Sequence, residues 1–376
     1  MLELVFWISV ALLVYAQVGY AVALWLLANL RRTRTVELAG ADEPPDVSVI
    51  VAAYREEHGI TDRVANLLAL DYPRDRLVVI VACDGSPDDT APRARDAGAD
   101  LVLELPRGGK VRAQDAAVER ARGEIVAFTD ANARWASGAL RALVAPFADR
   151  RVGYVCGQLT LHGAAGTNQE SLYWRYEMAL RALESRLASV TAGNGAIYAT
   201  RRDAYLRVDP VMGHDLSFPF NMVKRGWRAL YVSAAVATEP MVPSLEGEFA
   251  RKRRMMSHTW PIVLRGGMLS PRGYGALYAF MIGSHRLLRY ATPFLHLVAL
   301  GANIVLYALD AGTAYTVTLA LQLALLVAAL AAQALPVQPL LLARYYVLTT
   351  ASLAAGLWDW LRHGTSAGWE PAEGTR

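Results

Sequence analysis

The stretch Phe128 to Trp135, FTDANARW, carries an apolar run, Ile125 to Phe128, into a carboxylate, Asp130, with an amide, Asn132, two places later. In an open α/β sheet the carboxyl ends of the strands face the ligand crevice, so a carboxylate there can hold a hard cation against a diphosphate. Displacing a sugar from a nucleoside diphosphate also needs a nucleoside pocket, charge neutralisation on the leaving group, a base for the acceptor hydroxyl and exclusion of water. An aspartate at a strand end serves equally well as a cap for the next helix, so the reading depends on whether the chain supplies those other parts.

A candidate exists for each. After the first two apolar runs stand Tyr54 with Glu56, and Asp84 with Gly85 and Ser86, groups suited to ribose hydroxyls or a base edge; Asp-Gly is also an ordinary turn. Lys110 follows Gly108 and Gly109, so the backbone can approach a phosphate that the ammonium reaches; GxxxxGK[ST] is absent, so this is not a Walker loop. Asp130 with Asn132 suits Mg2+ or Mn2+, held by one carboxylate, a neutral oxygen and substrate phosphates. Asp215, in the turn Gly213-His214-Asp215 before a helix, is a base or a cap. Arg251 and Arg254, three apart, share a helical face and can hold a diphosphate or an anionic lipid.

These residues need a sheet to hold them. Val47 to Ala53 and Leu77 to Cys83 are short β-branched runs, each followed by polar residues and a helical stretch, as in parallel strands with crossover helices. Leu101 to Leu105 and the run into Asp130 add two more, and the alternation predicts a doubly wound α/β sheet. Further strands are expected at Val152 to Leu161 and Trp227 to Ser233, with helices around Asn168 to Ser189 and from Gly213. The helical stretch Leu245 to Trp260 mixes Phe249, Met255, Met256 and Trp260 with four adjacent cations, which suits the headgroup boundary of a bilayer.

Of 376 residues 54% are hydrophobic and only 19% charged, too apolar for a wholly soluble chain. Leu4 to Leu30, Tyr290 to Leu309 and Ala311 to Ala343 contain no Asp, Glu, Lys or Arg and predict three spans. A last segment, Leu340 to Trp360, contains Arg344 and Asp359, and spanning and interfacial readings stay open. Arg31, Arg32 and Arg34 follow the first span, which places the next domain in the cytoplasm. The net charge of +4 is scattered, so nucleic acid is not indicated as a partner. Cys83 and Cys156 sit in expected strands as buried thiols. The first strand and helix lack GxGxxG, against a dinucleotide oxidoreductase, and the spans are too poor in ionisable groups for a transporter.

Taken in order, these motifs resemble the membrane-embedded family 2 glycosyltransferases, the group of hyaluronan, chitin-oligosaccharide, cellulose and poly-N-acetylglucosamine synthases. VAAYREE (51–57) is similar to that family's nucleotide-binding opening and VACDGSPDDT (81–90) to its first aspartate motif. RGGKVRAQDAA (107–117) resembles the Gly-Lys segment, with Asp115 where Asn is usual, and FTDAN stands at the Asp-x-Asp. GNGAIYATRR (193–202) is similar to the acceptor-side loop and GHDL (213–216) to the Glu-Asp motif. The resemblance implies a GT-A, Rossmann-like catalytic domain at 47–240 and inversion by direct displacement. It implies donor contacts from Ala53, Tyr54, Glu56, Asp84, Lys110, Arg251 and Arg254, and a metal on Asp130 and Asn132. Asp215 is the implied base, with Gly193, Asn194, Gly195 and His214 on the acceptor side.

Around that domain the resemblance implies an N-terminal transmembrane helix (1–30), a basic cytosolic linker (31–46), amphipathic interface helices (241–289), C-terminal transmembrane helices (290–361) and a tail (362–376). The protein is expected in the plasma (inner) membrane. Its expected partners are a nucleotide-sugar donor, UDP before GDP, a growing surface glycan or a lipid as acceptor, and membrane lipids. Met255 replaces the Trp of the family's (Gln/Arg)-x-x-Arg-Trp helix, which favours a lipid or a short product, while the helices after the domain favour a polymer. A catalytically silent export scaffold is the remaining alternative.

Overall fold

The computed structural model describes residues 1–30, 43–162, 168–240 and 245–368. The basic stretch Arg31 to Arg34, part of the expected linker and most of the tail lie outside the described residues.

Strands β1 (Val47–Ala53), β2 (Leu77–Asp84), β3 (Leu101–Leu105) and β4 (Ile125–Asp130) run parallel, with β1 between β2 and β4. Every residue of β1 is buried, as expected of a near-continuous apolar strand covered on both faces. The helices Ile60–Leu68, Thr90–Asp96 and Lys110–Arg120 make the crossovers. The pairings Ala52↔Asp130, Ala53↔Cys83 and Asp84↔Leu105 bring Ala53, Asp84 and Asp130 to one edge of the sheet. β5 (Arg134–Trp135), β6 (Val152–His162), β7 (Tyr198–Arg201) and β8 (Arg228–Pro240) complete a mixed sheet in the order β3-β2-β1-β4-β7-β6-β8-β5. Two apolar cores form, one centred on Val49, Val79 and Leu140, the other on Ile50, Phe128 and Tyr198.

β8 runs past Ser233, where the sequence reading ended it, to Pro240. The extension is a small-residue stretch that stays paired to β6 across a register shift at Gly157/Gln158. A Cβ on Gly157 would lie 2.2 Å from the Ala235 carbonyl, so the bulge needs glycine.

Four helical stretches, Leu2–Leu30, Ala276–Ala308, Thr313–Ala331 and Gln338–His363, are long and apolar enough to cross a membrane. The second begins at Ala276, ahead of the uncharged run from Tyr290. Charged residues in its part before Tyr290 are paired inside the protein. Glu177 accepts from Arg286 (2.9 Å) and Arg289 (2.7 Å), and Glu184 faces His285 Nδ1 (2.7 Å), both carboxylates buried. Tyr20 OH and Thr191 N also donate to Glu184, at 2.7 and 3.0 Å. The catalytic domain and the apolar helices are thus joined by one buried ionic knot, and removing a single partner of such a knot typically costs about 3–5 kcal/mol. The third stretch ends at Ala331 and a turn leads to the fourth, whose Asp359 pairs with Arg253 at 2.6 Å. Both cysteines are free and buried.

Candidate active site

Asp84, at the end of β2, is buried and its oxygens are fully engaged. It accepts from the backbone amides of Gly108 (2.6 Å) and Gly109 (3.0 and 2.9 Å) and from Arg107 Nη1 (2.6 Å). The Arg107 guanidinium lies over the Tyr54 ring at 3.4 Å, so Tyr54, Asp84 and the Gly-Gly turn form one wall. Gly109 has φ +95°, a conformation that favours glycine, and a Cβ there would lie 2.0 Å from the Ala367 carbonyl beyond the last apolar helix. Ala53 is buried at the end of β1, and the Glu56 amide donates to Thr90 Oγ1 at 2.8 Å.

Lys110 opens the next helix and its ammonium is hydrogen-bonded to Asp130 Oδ1. Burial opposes the charge on Lys110, but Asp130, then Asp215 and Glu239, hold its pKa above the usual lysine range. Three carboxylates from three elements therefore act on one ammonium. Gly195 packs against the same pair, since a Cβ on it would lie 3.2 Å from both Asp130 Oδ2 and Lys110 Nζ. Asp215 lies in the first turn of the helix His214–Lys224, and its carbonyl accepts from the Gly193 amide at 2.7 Å. A Cβ on Gly193 would meet the Tyr154 hydroxyl at 1.8 Å, so this loop can lie here only as glycine.

Residues 44–257 match the family model described as glycosyltransferase like family 2. The chain belongs to this family. It is 28% identical over 239 residues to an N-acetylglucosaminyltransferase of Rhizobium sp. (strain N33), covering 58% of this chain and 53% of that protein. It is 31% identical over 190 residues to a beta-monoglucosyldiacylglycerol synthase of Trichormus variabilis, covering 49% of this chain and 39% of that protein. The chain spans about half the length of the curated N-acetylglucosaminyltransferase it matches. A mannosyltransferase from Pyrobaculum calidifontis, solved with GDP-Man and Mn2+, superposes with a TM-score of 0.71 at 24% identity, covering 96% of this chain and 99% of that one. That likeness bears on the fold, which is GT-A.

Other residues singled out from the glycosyltransferase sequence have different surroundings. His214 is buried in an aromatic cluster, stacked on Phe218 at 4.1 Å with Nδ1 2.8 Å from the Tyr198 hydroxyl. Burial, then Lys110, bring its pKa down to about 3, so the imidazole is neutral. Asn194 spends its side chain on the loop, donating to the Gly157 carbonyl (2.8 Å) and accepting from the Ile197 amide (3.0 Å). Asp115, the departure from Asn, accepts from the Tyr205 hydroxyl at 2.7 Å. On the helix Leu245–Leu264, Arg251 is held by Glu248 (2.7 and 2.9 Å), Arg254 is exposed, and Met255 is 43% exposed. Lys252 and Arg253 tie this helix to Gln338–His363, through Tyr345 (2.7 Å) and Asp359, so these two of the four cations face protein.

The donor set at the strand edge fits a hard cation. Asp130 directs Oδ2 toward Gly195, and Asn132 is half-buried in the turn that follows. Among the described residues no group of three His, Cys, Asp or Glu forms a cage.

Three site residues escaped the sequence reading. Arg107 was legible only as part of PRGGK. Arg63, buried on the first crossover helix, donates to Thr129 Oγ1 at 2.8 Å, and burial lowers its pKa to about 9. Glu239, at the end of β8, has its carboxyl held above the usual range by burial, then by the charge of Asp130. The signal for it, an acid closing a strand in ATEP, lay beyond the expected strand end.

Proposed function

We propose that the protein is a membrane-integral inverting glycosyltransferase that moves a sugar from a nucleoside diphosphate to an acceptor hydroxyl by direct displacement. The observation that carries this is the Lys110–Asp130 ion pair packed against Gly195, beside the wall built by Asp84, Arg107 and Tyr54. That wall, with Ala53 and Glu56, receives the nucleoside. Lys110, Arg251 and Arg254 supply positive charge for the leaving diphosphate. Asp130 and Asn132 would hold Mg2+ or Mn2+, which when bound neutralises phosphate charge. Asp215, fixed by the Gly193 contact to its carbonyl, takes the proton of the acceptor hydroxyl. His214, neutral and packed, sets the position of that turn, and Gly195 leaves room beside Lys110 and Asp130.

Similarity to an N-acetylglucosaminyltransferase supports transfer of an N-acetylglucosaminyl group; UDP as the nucleotide and a growing glycan as acceptor are the first reading. A lipid acceptor is the second reading, supported by the exposed Met255 where an aromatic platform would guide a chain, and by similarity to a glycolipid synthase. The four apolar helices support a membrane protein; the plasma membrane is the location read for it, and Arg31, Arg32 and Arg34 after the first helix support a cytoplasmic catalytic domain. Release of free nucleoside diphosphate from UDP-, GDP- and dTDP-sugars, with Mn2+, Mg2+ or chelator, tests the reading in nanodiscs containing membrane lipid. One donor should be cleaved in a metal-dependent way. No release from any donor would favour the silent scaffold.

A further inference from the structure

Strand β8 delivers Glu239 to the edge where β4 ends. Its neighbour Thr238 pairs with Arg134, in the short strand that follows the Asp130 turn. Glu239 keeps some exposed surface as a residue, but its Oε1 is sealed from solvent and has no hydrogen-bond partner among the described residues. The charges acting on this carboxylate are, in falling order, Asp130, Lys110, Arg251 and Arg63. Lys110 and Arg63 in turn feel both Asp130 and Glu239. The Arg63 guanidinium directs Nη1 to Asn66 (2.5 Å) and Nη2 to Thr129 (2.8 Å), and the Lys110 ammonium bonds Asp130. Neither reaches Glu239 Oε1.

A buried carboxylate oxygen without a donor is costly, and a second carboxylate close by adds repulsion. A divalent cation shared between them removes both penalties, and oxygen donors of this kind suit Mn2+ or Mg2+. Resting on the donor-site reading above, we propose that Glu239 is a further protein ligand of the donor's divalent cation, beside Asp130 and Asn132, so that the ends of β4 and β8 hold the ion jointly.

Mn2+ titration of the full chain in detergent with UDP, read by loss of the free-ion electron paramagnetic resonance signal, tests this without turnover. Glu239→Gln keeps the shape and removes the charge, and should weaken Mn2+ binding by about tenfold or more, while the metal-free protein unfolds at the same or a higher temperature because the repulsion from Asp130 is relieved. Glu239→Asp should weaken binding by a smaller factor, and it carries the test if the glutamine variant does not fold. Wild-type affinity in the Glu239 variants, alongside loss in Asp130→Asn, overturns the proposal and leaves the donor site standing. Absence of Mn2+ binding in the wild-type protein would overturn the cation site altogether.

Discussion

The Gly193 contact offers a sharp test of how the acceptor-side loop is held. Its backbone is not left-handed, so alanine is allowed conformationally and only the Tyr154 hydroxyl, 1.8 Å from the would-be Cβ, forbids it. The loop must shift by more than an ångström or Tyr154 must leave its core position, and overpacking of this kind costs about 1–3 kcal/mol. The Tyr154 hydroxyl is buried without a hydrogen-bond partner, so Tyr154→Phe alone should be neutral or slightly stabilising. In the double variant the Cβ would meet the ring carbon at 3.0 Å and the Cys156 Cβ at 3.4 Å, contacts that small adjustments relieve. Gly193→Ala should therefore lower unfolding stability in detergent and reduce turnover, because the Gly193 amide holds the Asp215 carbonyl. Adding Tyr154→Phe should restore most of both. A double variant as impaired as Gly193→Ala would refute the steric argument.

Two other outcomes follow from the geometry. His214 is neutral when folded, with its pKa at about 3 against 6.5 for a free imidazole, so below pH 6.5 the unfolded chain binds a proton that the folded chain does not. Stability should fall by about 1.4 kcal/mol per pH unit from 6.5 toward 3 on this account. Denaturant titrations across that range should show a slope smaller by about one proton in His214→Asn, and an unchanged slope would remove His214 as the cause. Arg107→Ala strips both the Asp84 carboxylate and the Tyr54 ring of their cation. It should raise the donor KM by about tenfold or more with kcat little changed, and a loss confined to kcat would contradict a nucleoside role for that wall.

The parallel half of the sheet was readable because β1, β2 and β4 are short, largely apolar runs that lead into polar residues. The site residues at their ends came with them: Ala53, Asp84 and Asp130 share an edge because strand register puts them there. Other features depend on contacts between segments far apart in sequence. The small residues of Ala234 to Thr238 do not announce a strand, yet pairing with β6 carries them on and brings Glu239 to the site. The pairing of Arg286 and Arg289 with Glu177, more than a hundred residues earlier, has no local trace in the sequence. His214 was expected on the acceptor side, and only the packing of Phe128, Tyr198 and Phe218 around it shows a core imidazole. Asp84 read as a group for ribose hydroxyls or a base edge, and nothing local showed that the amides of the Gly-Gly turn and Arg107 claim its oxygens.

The central claim is that Asp215 is the base of a sugar transfer at the edge where Lys110 gathers its three carboxylates. The most direct measurement is turnover of the preferred donor by Asp215→Asn beside its affinity for UDP with Mn2+. Turnover should fall by about a hundredfold to ten-thousandfold while nucleotide affinity stays at the wild-type level. Wild-type turnover in Asp215→Asn would contradict the account.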